Sequence, residues 1–308
     1  MSLKRSLNRA LTATTGLQVR RAPATTPPKP RPKSTPKPTA TGTAPVTAPR
    51  AAPAYRCPDD LATDRLLRRP VFIMSPVRSG STLLRMLLSS HSQLHSPHEL
   101  HIRRLEVGYG SKLSERAMNA LDLGRGDLEH LLWDRVLHRE LVRSGKDFMV
   151  EKTPSNAFAY RRIKDCWPDA RFVFLLRHPV SIARSWHEAD PEKRTFEEAA
   201  ADALRYMKAV DNARKGLTGG HTLRYEELTE APEERLRALC TFLGVRFEPS
   251  MLEYGKRDET QVHKGLGDWR EKIRTGTVQA GRPLPSGDEI PAVLRPMCEA
   301  WGYGGDRT

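Results

Sequence analysis

Apolar and polar positions alternate in two rhythms along most of this chain. From Phe72 to Leu84 the sequence FIMSPVRSGSTLL passes from an apolar run to a Ser/Gly/Arg-rich loop and then to an amphipathic run. That order predicts a buried strand, a tight turn and a helix that starts near Ser79 and ends near His91. Apolar strand candidates fall at 71–75, 147–150, 171–176 and 221–225. Helical patterns separate them: 127–143, with Asp127 capping the start and Gly145 following the end, then 155–166, 196–216 and 232–243. Strands alternating with long helices predict an α/β fold, a single three-layer domain with a central parallel sheet flanked by helices, over residues 59–308. The chain shows no internal repeat.

Charge changes the picture at the amino-terminal end. Through Pro58 there are eleven Lys/Arg and no Asp or Glu, which leaves 40 basic and 37 acidic residues for the remainder. The net +14 therefore belongs mostly to the tail, and a nucleic-acid partner is not expected, because its basic footprint should lie on the folded domain. Residues 22–58 are rich in Pro, Thr and Ala without apolar periodicity, which predicts a disordered linker. Within 1–21, Leu3, Leu7, Leu11 and Leu17 alternate with Lys4, Arg5, Arg9, Arg20 and Arg21. Residues 3–21 read either as a basic amphipathic helix for peripheral contact with an anionic membrane or as a basic tail of marginal helicity. No apolar run approaches the roughly 20 residues of a membrane span, and no signal-peptide core follows the basic start, so a cytoplasmic location is expected.

Cys57, Cys166, Cys240 and Cys298 are far apart and form no C-x-x-C pair; they read as reduced thiols, with Cys166 and Cys240 in the core. His95, His98 and His101 repeat every third residue, but no second ligand cluster accompanies them, and no metal is expected.

Candidate chemistry begins at the loop after the first strand. A strand–turn–helix of this kind leaves backbone N–H groups converging at a helix N-terminus, where negative charge is favoured. Arg78 adds a permanent cation, and Ser79, Ser81 and Thr82 add hydroxyl donors around Gly80. The loop suits a phosphate- or sulfate-type anion. It is not a Walker A sequence, since Ser81 rather than Lys follows Gly80. A second apolar strand, within RFVFLLRHPVSIARSW (171–186), breaks at His178–Pro179 and enters a helix. Arg177 stands at its carboxyl end, where open α/β sheets bind ligands.

The Arg-x-Gly-Ser/Thr-Thr loop resembles the 5′-phosphosulfate loop of sulfotransferases that use 3′-phosphoadenosine 5′-phosphosulfate (PAPS). Arg177 and Ser185 have the spacing of the Arg and Ser that hold the 3′-phosphate in that family. VHKGLGDWR (262–270) is similar to the family's R-K-G-x-x-G-D-W-[KR] loop, with Lys264 and Gly265 matching and His263 in place of the first Arg. LRYEEL (223–228) resembles the strand whose Tyr approaches the adenine, a role that falls to Tyr225. These segments span residues 71 to 270, and the motif R-S-G-[ST]-T-L-x-R…H is closest to the tyrosylprotein sulfotransferase-like and bacterial members.

The resemblance implies a P-loop-like sulfotransferase fold and in-line sulfuryl transfer from PAPS, with PAP as product and no metal required. Arg78 and Lys152, the latter in EKTP at the end of the 147–150 strand, are then the cations beside the leaving phosphate. Glu99 matches the catalytic Glu of the tyrosylprotein group, His98 the His of cytosolic members, and Glu151 the Glu that precedes the equivalent Lys in heparan N-sulfotransferases. The residues alone leave the base open among these three. The acceptor is a hydroxyl or amine of a small molecule, glycan, lipid or peptide; residues 100–146 and 187–200 fall between the cofactor motifs, and Arg103 and Arg104 favour an acidic or polyhydroxyl one. A phosphotransferase of the same fold and a non-catalytic nucleotide sensor are the competing classes. The missing Gly-Lys-Ser/Thr weighs against the first, and the retained Arg78, Lys152 and acidic candidates weigh against the second. The oligomeric state is not legible.

Overall fold

A computed structural model describes residues 55–256 and 276–304. Five strands form one all-parallel sheet: β1 (Val71–Met74), β2 (Leu94–His95), β3 (Phe148–Glu151), β4 (Arg171–Leu176) and β5 (His221–Arg224). Their spatial order is β2-β3-β1-β4-β5. The register sets Val71 beside both Val150 and Arg171, and Phe72 beside Glu151 and Phe172. From the central β1 the chain first fills the β2–β3 side and then crosses to β4 and β5. The carboxyl ends of β1 and β4 therefore flank the topological switch point, the usual ligand crevice of an open parallel sheet.

Strand side chains alternate between two cores, which makes the three layers. Phe72, Met74, Phe172, Phe174 and Leu176 pack on one face with Trp133, Leu137, Trp167 and Met207. Those partners come from α4 (Arg125–Ser144), α7 (Phe196–Gly216) and the turn that follows α5 (Tyr160–Cys166). Val71, Ile73, Val150, Val173, Leu175 and Leu223 pack on the other face with Leu84, Leu87, Leu228 and Leu239. These come from α2 (Ser81–Ser89), α8 (Tyr225–Glu230) and α9 (Pro232–Leu243). Shorter helices α1 (Leu61–Asp64), α3 (Lys112–Asn119), α6 (Pro179–His187) and α10 (Arg295–Ala300) complete the set among the described residues. No described helix is long and apolar enough to cross a membrane.

Several elements differ in detail from the sequence reading. Helix α4 begins at Arg125 with Gly124 as its cap; Asp127 sits inside the first turn and accepts from Gly124 N at 2.9 Å. The stretch read as one helix over 155–166 opens as a 3-10 turn, Pro154–Ala159, before α5. The helix after the first loop is shorter than expected, Ser81–Ser89. Strand β2 has only two residues, too few to carry a period-two pattern. Cys166, Cys240 and Cys298 are buried free thiols, and Cys57 is exposed. Residues 3–21 and the 22–54 part of the linker lie outside the described residues.

Candidate functional site

The chain leaves β1 at Met74 and turns through Ser75–Gly80 into α2. Two residues of this loop hold the left-handed conformation, Arg78 at φ 60° and Gly80 at φ 87°. Gly80 caps α2 and supplies no side-chain hydrogen bond to its first turn. A helix N-terminus at the carboxyl end of a parallel strand is the kind of place where anions bind. Ser79 is fully buried, and its hydroxyl donates to Pro76 O at 2.8 Å, which ties the loop to itself. A Cβ added at Gly80 would land on the ring of Tyr225. Only glycine lets that ring lie against the loop while tolerating the positive φ.

Arg177 emerges from β4 at the same crevice. Its Nη1 donates to Arg78 O at 2.8 Å, and its guanidinium lies 4.4 Å from the Tyr225 ring centroid. Burial pushes its pKa below the usual arginine value, and its buried Nε has no hydrogen-bond partner. Arg78 Nε donates to Ser185 Oγ, 3.2 Å away on α6. The structure thus brings Arg78, Gly80, Arg177, Ser185 and Tyr225 together. Tyr225 is the first residue of α8 rather than part of the strand before it.

Two residues that the sequence reading missed fix this corner. Glu226 accepts from His178 N at 2.9 Å and from the Tyr303 hydroxyl at 2.7 Å, joining β4, α8 and the carboxyl-terminal segment. Burial, and then Glu226, raises the pKa of Tyr303, so the phenol stays a donor. Glu226 was visible beside Tyr225 in LRYEEL; Tyr303 carried no sequence signal.

The second half of the site lies at the end of β3. Lys152 is 1% exposed and donates to Glu99 Oε1 at 2.5 Å. The other oxygen of Glu99 is 3.4 Å from His101 Nε2. Burial pushes the Lys152 pKa down, and Glu99 opposes that shift. His98, next to Glu99, is half-buried. Glu151 faces differently. It is 1% exposed and accepts from Thr153 Oγ1 at 2.6 Å, from Leu100 N at 3.4 Å and from the Asn156 side-chain amide. Burial raises its pKa to about 7 against those donors. Lys264 and Gly265 lie outside the described residues. Among the described residues no group of three or more His, Cys, Asp or Glu is placed to hold a metal ion.

Comparison with known proteins bears on the family and the fold. A family model described as "Sulfotransferase family" matches residues 70–249, from β1 to the end of the α9 region. The nodulation protein NoeE of Sinorhizobium fredii is 25% identical over 234 residues, which cover 65% of this chain and 55% of that protein. Protein-tyrosine sulfotransferase 1 of Danio rerio is 21% identical over 231 residues, 70% of this chain and 62% of that protein. The chain therefore spans less than two thirds of the length of these curated relatives. Among solved structures, the sulfotransferase domain from the curacin biosynthetic pathway superposes with a TM-score of 0.57 at 22% identity. That superposition covers 77% of this chain and 98% of the domain, and it establishes a shared fold.

Proposed function

Because this chain belongs to the sulfotransferase family, we propose that it moves a sulfuryl group from PAPS to a hydroxyl or amine of an acceptor by in-line displacement. The observation that carries the proposal is the Glu99–Lys152 contact at the end of β3, in the strand paired with the one that feeds the anion loop. In-line transfer needs an acceptor base and a cation for the leaving oxygen, held a fixed distance apart. A carboxylate and an ammonium in contact supply both.

The donor's anionic groups fit what surrounds them. The N-terminus of α2 and Arg78 suit the 5′-phosphosulfate, and the buried Arg177 with Ser185 suits the 3′-phosphate. Arg177 Nε, buried without a partner, still has a donor to give. Tyr225 offers an aromatic face at the same corner, suited to a base.

Glu99 is assigned as the base. Its side chain keeps 13% exposure, whereas Glu151 is sealed and its oxygens are taken by Thr153, Asn156 and Leu100 N. In the reaction Glu99 takes the acceptor proton as the acceptor oxygen or nitrogen bonds to sulfur. The bond from sulfur to the bridging oxygen breaks, and Lys152 with Arg78 stabilises the charge arriving on the departing phosphate. Fixed cations meet this need because a sulfuryl group carries less charge than a phosphoryl group.

The test is transfer of labelled sulfate from PAPS to a panel of phenol, sugar and amine acceptors. Glu99→Gln should lower kcat roughly 100- to 10,000-fold, the range for loss of a general base. Lys152→Ala should cost about 2.7–4 kcal/mol of transition-state stabilisation, as for a preorganised donor. Glu99→Gln should keep its affinity for PAP. Full activity in Glu99→Gln would rule out this assignment of the base.

A further inference from the structure

A cationic and aromatic cluster stands apart from the donor corner. Arg103 lies in the 3-10 turn Ile102–Arg104, directly after the Glu99–His101 segment. Phe158 lies in the 3-10 turn Pro154–Ala159, directly after Lys152 and Thr153. Arg205 and Tyr206 project from α7. The Phe158 and Tyr206 rings meet edge to face with centroids 5.0 Å apart. The Arg103 guanidinium is 5.7 Å from the Phe158 centroid, and that of Arg205 is 5.4 Å from the same centroid.

The charges in this cluster do not balance. Arg205 has Asp202 at 2.9 Å on the exposed side of α7. Arg103 has no carboxylate partner among the described residues; its charged neighbours are Arg104 and Arg205. Its Nε is buried without a hydrogen-bond partner. Burial, and then Arg104, pushes its pKa below the usual arginine value. A cation–π contact offers about 0.5–1 kcal/mol at an exposed site, little against the desolvation of a guanidinium beside like charges. An oxyanion would remove the imbalance, and two guanidiniums beside one ring can grip it with paired N–H donors. The cluster is open to such a ligand, since Phe158 is 39% exposed and Arg205 63%.

We propose that Arg103 and Arg205, framed by Phe158 and Tyr206, bind a carboxylate carried by the acceptor. This rests on the sulfotransferase reading and names the acceptor class for it. The donor's phosphates have their own cations at β1 and β4. Arg103 and Phe158 instead follow directly on the segments that bear Glu99 and Lys152, so an acceptor anchored there by its carboxylate presents another group to them.

The test uses two matched pairs, 4-hydroxyphenylacetate against its methyl ester and galacturonate against galactose. Each is titrated into the full chain saturated with adenosine 3′,5′-bisphosphate. In the unaltered protein at least one acid should bind about 10-fold more tightly than its neutral twin, the effect of one charge-assisted pairing. Arg103→Gln and Arg205→Gln should each shrink that preference, and the double variant should abolish it, with bisphosphate affinity unchanged throughout. If neither acid is preferred, or if the preference survives the double substitution, the proposal is overturned. Loss of bisphosphate binding in the unaltered protein would instead overturn the underlying sulfotransferase reading.

Discussion

At the scale of single residues, Glu151 and Lys152 show how adjacent side chains part company. Both are buried at the end of β3, yet Lys152 meets Glu99 while Glu151 ties Leu100 N and Asn156 to the strand. Successive strand residues point to opposite faces, so neighbours in sequence serve different partners. The sequence pointed to Glu99, Lys152 and Glu151 alike, because each matches a sulfotransferase motif; it could not say which carboxylate keeps a path to solvent. That depends on how the 96–101 loop lies on β3, a non-local contact with no pattern of its own. Asn156 Nδ2 donates to Glu151, and Asn156 Oδ1 is buried and unpaired, so with the amide flipped its oxygen would accept a hydrogen bond from a protonated Glu151. The sign of the pH effect follows. Glu151 titrates near 7 in the folded chain against 4.5 ordinarily, so between those values the folded state holds a proton that the unfolded chain has released. Stability should fall as pH rises from 4.5 to about 7 and then level off, by about 3 kcal/mol from this group. Denaturant titrations of the unaltered protein and of Glu151→Gln across that window read the difference. A slope unchanged in the variant would remove Glu151 as its source.

Among the elements, those with long periodic patterns were legible in sequence and those fixed by contact were not. Helices 196–216 and 232–243 match the patterns read for them, because Thr195 with Glu198 and Pro232 mark their starts. Strand β2 escaped because a parallel edge pairing of two residues is set by β3 rather than by its own composition. The start of α4 shifted because an acidic residue can satisfy a helix start from inside the first turn as well as from the cap. The first loop depends most on contact, since Gly80 answers to Tyr225, which lies far along the chain. Gly80→Ala should therefore cost about 1–2 kcal/mol of backbone strain and displace the Tyr225 ring. We expect at least a tenfold loss of PAP affinity, with the far-ultraviolet circular dichroism of the folded chain retained. Unaltered affinity would show that the packing of Tyr225 on the loop is incidental to the donor site.

For the whole molecule, the order β2-β3-β1-β4-β5 gathers residues from distant parts of the chain at one edge of the sheet. Arg78 follows β1, Lys152 follows β3 and Arg177 follows β4, so a single parallel sheet delivers all three cations to its carboxyl edge. Alternation of strands and helices made that parallel sheet legible, and the motifs pointed to Arg78, Arg177, Ser185 and Tyr225, which the fold brings together. The Arg103–Phe158–Arg205 cluster was half visible, through Arg103 alone, because nothing local links a turn after Glu99 to a face of α7. The central claim is that this edge is built for a 3′-phosphorylated nucleotide and needs no divalent cation to hold it. Calorimetric titration with adenosine 3′,5′-bisphosphate in EDTA, against ADP and AMP, tests it most directly. The bisphosphate should bind alone, and Arg177→Ala should weaken it at least tenfold, as expected for loss of a buried charged donor. No binding, or a preference for ADP that appears only with Mg²⁺, would contradict the account.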